Sequence, residues 1–185
     1  PLTDANFQTA VNLWFSDEAN ATATYGHISH WNTSAVTDMA SAFQNRANFN
    51  DNISAWDVSN VTSMRHMFRS SGFNQNIGDW NVSSVTDMDG MFWSATSFNQ
   101  NIGDWNTSSV TDMRYMFRSA PKFNQPIGDW NVSAVTDMFR MFEAAHLFNQ
   151  DISNWDVSLV TDMYSMLQYA YVFDQDISDW NISSV

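Results

Sequence analysis

A tryptophan returns at a nearly fixed interval along this chain. Trp31, Trp56, Trp80, Trp105, Trp130, Trp155 and Trp180 are 25 residues apart, with a single step of 24. Such a period marks a stacked repeat, in which each unit is too small to bury its own apolar face and must lean on its neighbours. The short step runs from Trp56 to Trp80, and the missing residue falls at Ser71-Gly72, where a loop absorbs it. The unit reads W-[ND]-[VTI]-S-x-V-T-D-M-x-x-M-F-x-x-A-x-x-F-N-Q-x-I-[GS]-[DN], with small deviations. All eleven methionines fall in two columns of it, one through Met88, Met113 and Met138 and the other through Met91, Met116 and Met141. Eleven of the fourteen phenylalanines occupy two further columns. An apolar residue repeated at every rung is what a stacked interior requires, so the Trp, Met and Phe columns are read as core.

Within a unit the apolar spacing changes. Val110, Met113, Met116, Phe117 and Ala120 follow three- and four-residue steps, which predicts a short helix or 3₁₀ turn, with Thr111 or Asp112 capping it. Trp130 and Val132 alternate, which predicts a brief strand. The expectation is an α/β repeat solenoid: a leucine-rich-repeat-like coil of short parallel strands and short helical or 3₁₀ turns. Residues 1–30 do not fit the unit. Phe7, Ala10, Val11, Trp14 and Phe15 mark one helical face behind a Thr3 N-cap, so this segment reads as a helical cap with a partial repeat. Residues 31–185 read as six full units and a truncated seventh. The last rung carries no distinct polar cap, so that end is expected to continue or to meet another subunit.

Composition narrows the function classes. With 185 residues and a 44% apolar share the chain can bury a sizeable core. Twenty acidic against seven basic side chains, a formal charge of −13, argue against binding a phosphate backbone, so no nucleic acid is expected as a partner. The absence of cysteine removes thiol catalysis, disulfides and Cys-ligated metals. No run approaches the roughly 18 apolar residues of a membrane span, so no membrane insertion is expected. No Gly-rich phosphate loop, no G-x-S-x-G elbow and no His–carboxylate set stands outside the repeat, so an enzyme is not expected.

The segment V-T-D-M-x-x-M-F-x-x-A-x-x-F-N-Q-x-I-x-x-W-[ND]-[VT]-S resembles the BspA-like surface-protein repeats, a short-repeat branch of the leucine-rich repeat class. It covers about residues 25–185 in six consecutive copies; Ser63, Leu167 and Asp174 depart from it. The resemblance implies a right-handed solenoid, an extracellular or cell-surface setting, and a role in adhesion or recognition. It implies no catalytic residues.

In a repeat array the positions that differ from rung to rung are free to carry specificity. Here they are the two residues between the Met columns and the one after the Phe. From them come the candidate binding residues: Arg65, Arg69, Trp93, Arg114, Tyr115, Arg118, Phe139, Arg140 and Tyr164. All seven basic residues lie in these segments or just after them, so a rod with one basic side is expected. Arg69, Trp93 and Arg118 share one column, which predicts an indole between two guanidinium groups. The expected function is a non-enzymatic module that binds a protein or glycan through this variable edge. The alternative is a structural subunit that assembles end to end through the open C-terminal rung. No cofactor is expected. Ca²⁺ between the rungs of the Asp columns, and a metal at the His27/His30 pair, are weaker readings.

Overall fold

The computed structural model describes residues 1–185. Two helices open the chain, α1 (Phe7–Ser16) and α2 (Glu18–Tyr25), followed by a single 3₁₀ turn at Ile28–His30. Helix α1 buries Phe7, Ala10, Val11 and Trp14 on one face, the three- and four-residue spacing that turns one stripe to the core. Its N-cap is Asn6, not Thr3. The Thr3 backbone N–H instead donates to Asn6 Oδ1 at 2.8 Å, and Thr3 forms a parallel bridge with Ala35, which carries the chain start onto the first rung. Asp17 ends α1 and caps α2, its side chain accepting from the Asn20 N–H at 3.0 Å.

Beyond residue 30 the repeats stack, but neither the strand nor the short helix predicted for each unit forms. Strand-like pairing between the rungs is confined to single parallel bridges along one column: Asp38 to Ser63, then Asp87, Asp112, Asp137 and Asp162. No helix forms because two residues in every unit adopt the left-handed conformation, for example His66 and Ser70 (φ 55° and 54°) and Tyr115 and Ser119 (φ 56° and 53°). A helix cannot pass through such residues. What forms instead is a chain of turns with a two-residue rhythm. The N–H groups of Met113, Tyr115, Phe117 and Ser119 donate to Asp137, Phe139, Met141 and Glu143 carbonyls of the next rung at 2.7–3.1 Å. The N–H groups between them close turns within the rung, as Met116 does to Met113 at 3.3 Å and Arg118 to Tyr115 at 2.9 Å. The backbone is therefore satisfied without regular secondary structure.

The spacing of apolar residues survives because these turns repeat every two to four residues, as a helix does. The columns converge on one dry interior. Phe43, Phe68, Phe92, Phe117 and Phe142 stack in near-parallel register with centroids 5.6 Å apart, and the second Phe column runs beside them. Met88, Met113 and Met138 are fully buried. Trp31, Trp56, Trp80, Trp105, Trp130 and Trp155 are buried, and Trp180 on the last rung is partly so. Each indole N–H from Trp56 onward donates to an isoleucine carbonyl of the preceding rung, as Trp105 does to Ile77 at 3.0 Å. The single missing residue at Ser71-Gly72 leaves a close approach: the Gly72 N–H donates to Arg46 O at 3.2 Å, and a Cβ there would collide with the Ala47 carbonyl.

Candidate recognition edge

The turns between the two Met columns carry the variable side chains. In each unit they present three rung-to-rung columns on one edge. The first holds Arg65, Asp89, Arg114, Phe139 and Tyr164; the second, at the first left-handed position, His66, Gly90, Tyr115, Arg140 and Ser165; the third Arg69, Trp93, Arg118, Glu143 and Gln168. All nine sequence-predicted binding residues belong to these columns, and their contacts join them into one network.

Trp93 is its centre. The Arg69 guanidinium lies 3.7 Å from one of its ring centroids and that of Arg118, from the following rung, 4.8 Å from the ring. Tyr115 stacks on the same indole at 4.9 Å and 16°. The aromatic line continues edge-on from Tyr115 to Phe139 (5.2 Å) and face to face from Phe139 to Tyr164 (5.5 Å), with Arg140 over both of the last two rings. Tyr164 is 62% exposed, so the line ends at the surface.

The edge is not a basic face. Arg65 Nε is 3.1 Å from Asp89 Oδ2, and Arg114 reaches Asp112 at 2.7 Å, Asp89 at 3.6 Å and Asp137 at 3.7 Å. Arg118 Nε lies 2.7 Å from Glu143 Oε2, out of line for a hydrogen bond, so that contact is a charge pair; Arg140 approaches the same oxygen at 3.4 Å. Of the five arginines on the edge only Arg69 has no carboxylate partner. The expected separation of acidic and basic sides fails because the Asp column of the bridges adjoins the variable turns. Asp112 Oδ1, for instance, accepts the N–H of Arg114 two residues on, at 3.0 Å, and thereby holds that arginine beside it. The same guanidinium supplies counter-charge to three carboxylates, and no set of three or more His, Asp or Glu side chains is arranged to hold a metal ion. His27 and His30 stand with ring centroids 6.3 Å apart, and His27 Nδ1 is engaged by Ser29 at 2.8 Å.

Asp89 is the unusual group. Its side chain is 4% exposed, one oxygen is shared by Arg65 and Arg114 from the rungs on either side, and the other, Oδ1, has no hydrogen-bond partner, with His66 Nε2 at 3.7 Å. Burial, and then the charge of Asp112, push its carboxyl up to about 6 against the pull of the two arginines. Burial, and then Arg65, Arg69 and Arg114, push His66 down. Gly90 makes room for this pair: it is left-handed (φ 58°), and a Cβ there would overlap the His66 ring.

A family model described as Mycoplasma protein of unknown function, DUF285, matches residues 9–117 and again residues 98–185. The chain belongs to that family. No curated protein and no solved structure matches it. The two DUF285 matches overlap over residues 98–117, inside the tandem units.

Two residues of the DUF285 edge were not among the sequence-predicted binding residues, Asp89 and Glu143. The signal for Asp89 is present in the alignment of units, where Arg65, Asp89 and Arg114 alternate in sign at one position. Counting basic residues alone hides it. Elsewhere four openings stand apart from the edge, of which the two larger are at the ends of the stack. One of about 510 Å³ lies between α1 and the first rung, beside Phe15, Arg46 and Asp51. The other, of about 400 Å³, is framed by Met163, Leu167, Ile177 and Trp180 on the last rung.

Proposed function

We propose that this DUF285 chain is a non-enzymatic recognition module of the leucine-rich-repeat-like, BspA-like kind, set at a cell surface or in a secreted protein, and that it docks a protein partner through the edge from Arg65 to Tyr164. The observation that carries this reading is the Arg69–Trp93–Arg118 column with Tyr115 stacked against it. Trp, Tyr and Arg are the residues that dominate binding energy at protein interfaces, and here their mutual stacking fixes them before any partner arrives.

A protein partner is favoured over a glycan for two reasons. Sugars bind by laying a ring on an open aromatic face, but Trp93 is stacked on Tyr115 and covered by Arg69, and Phe139 is stacked on Tyr164, which leaves Tyr164 as the one largely exposed ring of the line. Acidic glycans need free cations, and four of the five arginines here are already paired with carboxylates.

The test is the triple substitution Arg69→Ala, Trp93→Ala and Arg118→Ala, screened against arrays of surface proteins and of glycans. The expected result is a protein ligand of the native chain that the variant loses with unchanged circular dichroism, and no glycan ligand. A glycan ligand lost by the variant, or a protein ligand that the variant retains, overturns the assignment.

A further inference from the structure

Asp89 is the one carboxylate of the edge enclosed by charged groups from three consecutive rungs. Arg65 and His66 face it from the rung before, Asp87 from its own, and Asp112 and Arg114 from the rung after. For Arg114 the Asp89 contact is secondary, because its Nη2 lies 2.7 Å from Asp112 Oδ2 and its Nε–H donates to both Asp112 oxygens at 3.0–3.1 Å. For Arg65 it is the only ion pair, made by a side chain that is 52% exposed. Arg69, four residues on, is the edge arginine that has no ion pair at all, and both arginines act on His66. The arrangement holds one cation back with one buried anion that lacks its full set of hydrogen bonds.

We propose that the His66–Asp89 pair gates an oxyanion site on this edge: when the pair takes up one proton, Arg65 is released from Asp89 and becomes, with Arg69, the second unpaired arginine of the same rung on either side of His66, where the two bind a carboxylate or sulfate group of a partner. The proton needs no assignment to either member. On Asp89 it removes the negative charge that holds Arg65; on His66 it supplies a competing cation at 3.7 Å from the same carboxylate. In both cases the site gains one positive charge. The upward shift of Asp89 places this uptake around pH 6, in the range where secreted and surface proteins meet mildly acidic surroundings. The reading rests on the recognition function proposed above and adds to it the chemistry of the contact and the pH at which it forms.

The test uses sulfate as the probe, since its charge does not change in this range, with the arginine Nε–H resonances followed by NMR at constant ionic strength. Sulfate is expected to bind at Arg65 and Arg69 about three- to tenfold more tightly at pH 5 than at pH 7.5, the effect of one added charge at a half-exposed site. Asp89→Asn mimics the protonated state, and its sulfate affinity is expected to be high at both pH values. Arg65→Gln, which leaves the buried groups in place, is expected to keep the fold and to show a clearly weaker pH dependence, because the added charge remains but no second guanidinium is released. Equal sulfate affinity of the native chain at both pH values overturns the gate, as does an Arg65→Gln variant with undiminished pH dependence. Because sulfate replaces the partner, the outcomes separate: a failed partner screen leaves a positive sulfate titration standing, and a flat titration leaves the docking edge standing without its gate.

Discussion

Replacing Asn124 tests whether the coil is held by side chains that satisfy backbone across the rungs. Asn124 Oδ1 accepts the N–H of Asn149 at 2.9 Å and the Gln150 amide at 2.9 Å, and the Asn124 N–H donates to Asn99 Oδ1 at 2.9 Å. The pattern recurs from Asn50 to Asp174, so each amide oxygen serves the rung above it. Asn124→Ala removes two acceptor contacts, each worth about 1 kcal/mol, and leaves the half-buried Asn149 N–H unpaired at a further cost of about 1 kcal/mol. The sum of about 3 kcal/mol corresponds to a melting temperature lowered by roughly 6–12 °C in a chain of this size. Asn124→Asp is the control. No contact of the native Asn124 uses its NH₂ group as donor, and a carboxylate offers the same acceptor oxygens, as Asp occupies the equivalent position at 174. Its cost is expected to stay below about 1 kcal/mol. Urea unfolding of both variants, followed by tryptophan fluorescence and circular dichroism, decides the matter. Equal losses in Ala and Asp variants refute the argument, because they show that the amide's shape rather than its acceptor oxygen matters; a negligible loss in the Ala variant shows that the ladder is ornamental to stability.

The carboxylates are expected to make stability greatest near pH 4, falling on either side. The folded state raises Asp89 from 3.8 to about 6, so its contribution is complete below 3.8 and is lost as pH rises through 6, amounting to about 3 kcal/mol by pH 7.5. Asp87 and Asp137, raised by burial, act in the same direction, whereas Asp4 and Asp57, lowered by hydrogen bonds to Thr37 and Ser59, contribute stability that is lost as pH falls below about 4. Urea midpoints across this range check the profile, and Asp89→Asn is expected to stabilise the chain at pH 7.5 and to leave it nearly unchanged at pH 4; the reverse order refutes the sign. Gly90→Ala is expected to cost about 1–2 kcal/mol, since it adds a left-handed alanine and displaces His66, and to change the His66 NMR shifts; unaltered His66 resonances mean that the ring does not sit where the structure places it.

Much of this architecture is legible in the unit itself. A Trp, two Met and two Phe at nearly every rung leave stacking as the only way to bury them, and the indole at Trp105 and the methionine at Met113 are inside. Local structure is less legible for a physical reason. The left-handed positions fall on His66, Tyr115, Arg140 and their partners, with glycine only at Gly90, so the residue that normally advertises such a turn is absent. Met113, Met116 and Phe117 then carry a helix-like spacing through a backbone that reverses twice. The edge is legible in part. Arg69, Trp93 and Arg118 align by register alone, but charge balance depends on how close the Asp112 turn brings its carboxylate to Arg114, and no count of residues contains that distance.

The same backbone explains why this edge is free to differ at every rung. The hydrogen bonds that fasten it, His66 N–H to Asp89 O at 2.8 Å, Gly90 N–H to Arg114 O at 2.7 Å and Tyr115 N–H to Phe139 O at 2.9 Å, use main-chain atoms only. His, Gly and Tyr thus occupy equivalent positions without a change in pairing. Side chains there answer to the rung above and the rung below, and their energies arise from neighbours in the column: cation over indole, carboxylate between guanidiniums, ring on ring. A substitution on the edge therefore propagates one rung in each direction and no further through the scaffold. Charge inversion of a whole column, with Arg65, Asp89 and Arg114 replaced by Asp, Arg and Asp, preserves the mutual attraction within that column and the stack, but it sets Asp in place of Arg114 beside Asp112 and Asp137. The column and the bridge carboxylates are thus coupled, and it is this coupling, rather than the stacked core, that restricts which charges the edge can carry.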